Sequence, residues 1–146
     1  MDEGHRGGRY WAAVPIPEPH VAGLLGGGVV HSLVPVDATG NERLARAVGW
    51  PLLGIGLLLI GWAVRTIGEL DGRHPTGLVT TGPYAFTRNP MYVGWTILYV
   101  GVALLANTAW LVLELPAVLA ATHRAVRREE RSLERAFGDE YRAYRR

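Results

Sequence analysis

The chain has 146 residues, 49% of them hydrophobic, with 15 basic and 13 acidic side chains and a formal net charge of +2. That length accommodates one domain. The apolar content and low net charge exclude an intrinsically disordered chain, and the absence of cysteine excludes disulfides and cysteine-ligated zinc. Every basic residue is arginine, and nothing in their distribution resembles a nucleic-acid footprint. The Lys-free, Arg/Ala/Gly-rich composition matches a high-GC bacterial coding bias.

Residues 1–20 read as a flexible tail. They mix Asp2, Glu3 and Glu18 with their basic residues and hold three prolines, which makes a poor signal-peptide start. The block 21–36 is apolar but contains three consecutive glycines and His31, and it is read as an optional first membrane span. The linker 37–46 is charge-balanced, with Asp37, Glu42, Arg43 and Arg46. Residues 47–64 carry no charge over 18 positions, close to the ~20 residues that cross a ~30 Å hydrocarbon layer as helix. From Pro90 to Thr122 the only charge is Glu114. Those 33 residues are too many for one pass and few for two. Asn107 and Thr108 interrupt them near the middle, so the spacing predicts a helical hairpin, with Pro116 bending the second arm.

The tail 122–146 has no proline and one glycine, Gly138. Leu133, Phe137 and Tyr141 recur at four-residue steps, which predicts an amphipathic helix bent near Gly138. A soluble bundle would carry a polar stripe through its helices, and the runs 47–64 and 90–113 have none. The expected fold is therefore all-α. It is a polytopic membrane protein with three or four membrane segments, ending in a helical hairpin plus a C-terminal cytoplasmic amphipathic helix. Residues 21–146 form its single domain. Arg65, Arg73 and Arg88 lie between the long runs, and eight further arginines lie in the tail. The positive-inside rule puts both segments on the cytoplasmic side of the cell membrane.

Two polar clusters interrupt this apolar plan. Residues 74–94 are rich in turn formers and end in Arg88-Asn89-Pro90. Asn is a good helix cap and Pro suits the first helical position, so a cap and a binding role are equally expected for Asn89. Glu129 and Glu130 lie just beyond the second arm among Arg124, Arg127 and Arg128. Taken alone they are a solvated face with ion pairs at three- and four-residue spacing. The hairpin brings both clusters to one interface, where ionisable groups are costly and often functional. A carboxylate there holds a cationic amino or sulfonium group, Tyr84 and Tyr92 offer cation–π faces, and first-turn N–H groups receive a ligand carboxylate. That inventory fits S-adenosylmethionine. The histidines (His5, His20, His31, His74, His123) have no metal-ligand spacing, so no metal is expected. Gly54 and Gly56 read as helix packing rather than a nucleotide loop.

The sequence LVTTGPYAFTRNPMYVG, followed by a long apolar hairpin and then REERSLERAFGDEYRAYRR, resembles the isoprenylcysteine carboxyl methyltransferase and phospholipid methyltransferase-like membrane enzymes. The resemblance covers residues 74–146, the expected cofactor-binding core. It implies S-adenosylmethionine-dependent methyl transfer to a lipophilic acceptor: a prenylcysteine-like carboxylate, a phospholipid amine or another small lipid. The cofactor-binding positions it implies are Thr76, Gly77, Leu78, Val79, Tyr84, Asn89, Pro90, Met91 and Tyr92. On the acceptor side it implies Glu129, with Glu130 beside it and Arg124 and Arg128 nearby; Glu129 and Glu130 are the expected catalytic pair, either taking the proton from an amine acceptor. Two positions depart from the pattern. Asn89 stands where many members have His, and Ala125 stands where the carboxyl methyltransferases have Arg. Two other functions compete: an NADPH-dependent reductase related to the sterol reductases, and a non-catalytic membrane scaffold.

Overall fold

The computed structural model describes residues 17–71 and 78–146. Its elements are α1 (Glu18–Leu33), α2 (Glu42–Asp71), a 3-10 turn (Gly82–Ala85), α3 (Pro90–Leu105), α4 (Ala109–Phe137) and α5 (Asp139–Tyr144). The described residues are helical apart from loops and one isolated bridge between Asp37 and Thr108. Two helices, Glu42–Gly68 and Ala109–Phe137, are long and apolar enough to cross a bilayer. Large side chains point away from the protein along several helices: Leu25 is 66% exposed, Leu33 77%, Leu58 75% and Leu113 67%. Water would penalise that much outward apolar surface, whereas lipid does not.

The helices pair through glycine. On α2, Gly49 and Gly56 are seven residues apart; on α3, so are Gly94 and Gly101. A Cβ on Gly56 would lie 2.8 Å from the Gly94 carbonyl oxygen, and one on Gly101 would lie 2.8 Å from the Leu53 amide. The two backbones therefore touch along two turns, as small residues permit in lipid. Gly54 faces open space, so of the Gly54/Gly56 pair only Gly56 serves packing. A second seam joins α1 to α4. Gly23 lies under Val118 and Tyr99, and Gly27 lies under Glu114 and Leu111. The glycines that weaken α1 as an isolated helix thus let it approach the hairpin. α3 packs chiefly on α2 and α1 chiefly on α4, so the hairpin arms are held more by these outer helices than by each other.

Tyr99, Ala103, Leu111 and Val118 form the buried core between the arms. The polar groups there are mostly satisfied. The Tyr99 hydroxyl donates to Glu114 at 2.7 Å, and His20 Nε2 lies 3.0 Å from Thr96 Oγ1. His20 is fully buried; α1 starts before the apolar block and takes in residues 18–20 of the expected tail.

The hairpin turns at residues 106–108, where the sequence places it. Asn107 adopts a left-handed backbone (φ 49°), which Asn tolerates better than most residues. The α1–α2 linker clasps this tip: Ala38 N–H donates to the Asn107 carbonyl, Ala109 N–H to that of Val36, and Thr39 N–H to the Asn107 side chain. Trp110 Nε1 adds a 2.7 Å bond to the Val34 carbonyl. α4 runs unbroken through Pro116 to Phe137, and Gly138 (φ 53°) turns the chain into α5.

Candidate functional site

The site lies at the end of the bundle opposite the hairpin tip. Its first wall is the segment before α3. Gly82 has φ 60°, and a Cβ there would meet Thr66 Oγ1 at 2.7 Å, so the glycine both permits the turn and lets it seat on α2. Pro83 is buried, and Phe86 stacks at a tilt on Trp62. This anchoring holds Tyr84 half-buried.

Pro90 opens α3, and Asn89 occupies the cap position. The cap expectation holds only for the backbone. The Asn89 side chain makes no capping bond, and the first helical bond runs from Val93 N–H to the Asn89 carbonyl. The Asn89 amide and the N–H groups of Met91 and Tyr92 are therefore available to a ligand, as at any helix start. Met91 and Tyr92 are buried.

The second wall is the part of α4 beyond its apolar stretch. Glu129 and Tyr92 meet across the hairpin, the phenol lying against the carboxylate. Burial pushes the Glu129 carboxyl above its ordinary value of 4.5; the Glu130 charge pushes the same way, and the Tyr92 hydrogen bond pulls back. Burial and the Glu129 charge also push the Tyr84 phenol far up, so it stays neutral. Beside this pair Arg88 binds Glu130 at 2.8 Å, tying the loop to α4. α5 then folds back over the loop. Tyr141 is fully buried, and the Tyr144 hydroxyl donates to the Tyr84 carbonyl at 2.6 Å.

Of the residues singled out in the sequence, the structure gathers Tyr84, Asn89, Pro90, Met91, Tyr92, Glu129 and Glu130 at this end. Leu78 and Val79 are half-buried in the irregular segment leading to the 3-10 turn. Thr76 and Gly77 lie outside the described residues. Arg124 and Arg128 are not brought in: both are exposed on the outward side of α4, five and one residues before Glu129 turns inward. The local ion pairs expected around Glu129 and Glu130 are replaced by the long-range Arg88–Glu130 pair.

Sequence reasoning assigned no site role to Tyr141, which appeared only in the amphipathic periodicity, to Tyr144, or to His20, which fell in the tail. Among the described residues no group of three or more His, Asp or Glu is placed to hold a metal ion.

A curated protein, the nickel-cobalt-cadmium resistance protein NccN of Alcaligenes xylosoxydans xylosoxydans, is 37% identical over 93 residues, covering 59% of this chain and 43% of that protein. The chain thus spans less than half the length of that relative. No solved structure matches. The family model for phospholipid methyltransferase matches residues 44–140, from the start of α2 into α5. The chain therefore belongs to the phospholipid methyltransferase family of membrane methyltransferases.

Proposed function

We propose that this protein transfers a methyl group from S-adenosylmethionine to a lipophilic acceptor at the cytoplasmic face of the cell membrane. The observation that carries the reading is the Tyr92–Glu129 contact. It joins the start of one hairpin arm to the polar extension of the other, beneath a turn that presents Tyr84. The donor set fits the cofactor. The first-turn N–H groups of α3 and the free Asn89 amide suit its carboxylate and polar edges. Tyr84 and Tyr92 offer aromatic faces, and Glu129 offers a carboxylate for its cationic part. The family resemblance adds Thr76, Gly77, Leu78 and Val79 to the cofactor-binding set, together with Pro90 and Met91 at the start of α3.

When bound, S-adenosylmethionine supplies an electrophilic methyl group on a sulfonium. The protein's own work is orientation and exclusion of water. The arm ends hold donor and acceptor in line, which supplies much of the rate in a displacement. The buried Tyr141 and the α5 strap keep the loop seated and water out. A carboxylate acceptor needs no base; with an amine acceptor, Glu129 takes the proton released from nitrogen. Glu130 is committed to Arg88 and acts as a brace. The acceptor enters laterally from lipid, so the class includes prenylcysteine-like carboxylates, phospholipid amines and other small lipids.

Four helices run between the tip end and the loop end, which supports a reading of α1, α2, α3 and the apolar part of α4 as membrane segments. In that topology the arginine-rich loop and tail face the cytoplasm. The test is transfer of labelled methyl from S-adenosylmethionine to a lipid extract by the purified, reconstituted protein. Label in a lipid fraction supports the proposal and identifies the acceptor. No label with the wild type, under conditions where the folded protein binds no S-adenosylhomocysteine, overturns it.

A further inference from the structure

Beyond its apolar stretch, α4 separates its charges by sign. Glu129, Glu130 and Glu134 are partly buried and face the protein, whereas Arg124, Arg127, Arg128, Arg131 and Arg135 are all exposed. At ~100° per residue the five arginines fall within about 100° of the helix circumference. The glutamates have partners inside the fold. Glu130 pairs with Arg88, and Glu134 lies 3.9 Å from Arg142 and 3.5 Å from Arg145. Among the described residues the five arginines have none.

Their spacing makes this costly. Arg124/Arg128, Arg127/Arg131 and Arg131/Arg135 are like-charge pairs at four-residue steps. Such pairs oppose the helix through like-charge repulsion. A helix that repels itself along one face, with Glu129 turned inward and Glu130 and Glu134 already engaged by Arg88, Arg142 and Arg145, is built for an anionic partner outside the chain. The stripe starts two residues after the apolar stretch ends at Thr122, at the level where a bilayer surface begins.

We infer that this arginine stripe is a docking surface for anionic phospholipid headgroups of the membrane the protein sits in. The guanidinium forks match phosphate geometry, and each arginine at such a surface favours contact about fivefold. The stripe holds the extension of α4 against the bilayer and thereby sets the tilt of the Glu129 face towards the lipid. It is distinct from the methyl-transfer site, and its test needs no turnover.

The chain has no cysteine, so Ser132→Cys, beside the stripe, gives a unique position for an environment-sensitive fluorophore. The labelled protein is placed in nanodiscs of phosphatidylcholine or of an equal mixture with phosphatidylglycerol, and quenching by neutral acrylamide is measured. The expected result is quenching several-fold weaker in the mixed discs, restored by molar salt. Combined replacement of Arg124, Arg128, Arg131 and Arg135 by Gln should abolish the difference, and replacement by Lys should largely keep it. Equal quenching in both lipids would overturn the inference. So would persistence of the difference in the Gln variant, or its reproduction in neutral discs by free inorganic phosphate.

Discussion

The two ends of the helix bundle use polar groups in opposite ways. At the tip, Asn107, Thr39 and Trp110 are tied to backbone partners, and the linker and hairpin close on each other. At the loop end the Asn89 amide has no bond, and Glu129 is buried against a tyrosine without a cation of its own. A fold need only satisfy its buried polar groups. The tip spends its polar groups on holding linker and hairpin together, while the loop end keeps a carboxylate buried against a tyrosine and a side-chain amide without a partner. Architecture and chemistry are thus separated along the bundle axis.

The largest expected effect that would break this comparison comes from Glu129→Ala. If the loop end is chemical, methyl transfer falls at least about 100-fold while the protein still inserts and folds. A wild-type rate would return the loop end to a structural role. Next is Gly101→Val on the α2–α3 seam. A Cβ there already meets backbone at 2.8 Å, so overpacking costs ~1–3 kcal/mol or more. That loss should appear as a lower thermal midpoint in detergent, with no selective effect on cofactor affinity.

Tyr92→Phe sharpens the comparison through pH. The carboxylate is the working form of Glu129, so transfer should rise with pH through a midpoint above 4.5. The Tyr92 hydrogen bond favours that carboxylate, so its loss moves the rising limb to higher pH, with an about tenfold lower rate below it. Glu129→Gln should remove the limb. Stability runs the opposite way: the raised carboxyl favours the fold most below its ordinary value, and that contribution is lost as pH rises through the raised value. The smallest effect is Tyr144→Phe. Removing its bond to the Tyr84 carbonyl costs ~1 kcal/mol of strap closure, expected as a few-fold rise in KM at nearly constant kcat.

Much of this was legible in the sequence because it is local or periodic. The polar pair Asn107-Thr108 in an otherwise apolar run marks the hairpin tip, Pro90 marks a helix start, and Gly138 marks the break before α5. The meeting of Tyr92 and Glu129 follows once the run is folded in two. What escaped depends on partners distant in sequence. Nothing near Gly23 and Gly27 says that α4 will lie on them, and nothing near Glu130 says that Arg88 displaces the arginines beside it. Arg124 and Arg128 read as acceptor contacts because they adjoin Glu129. Helical rotation sends them outward as it turns Glu129 and Glu130 towards Tyr92 and Arg88.

The most direct measurement is calorimetric titration of the reconstituted protein with S-adenosylhomocysteine, in parallel with NADPH, for the wild type and Tyr92→Ala. The account predicts saturable binding of S-adenosylhomocysteine, lost in the folded variant, and none of NADPH. Binding of NADPH in place of S-adenosylhomocysteine, or equal affinity for S-adenosylhomocysteine in the variant, would contradict it.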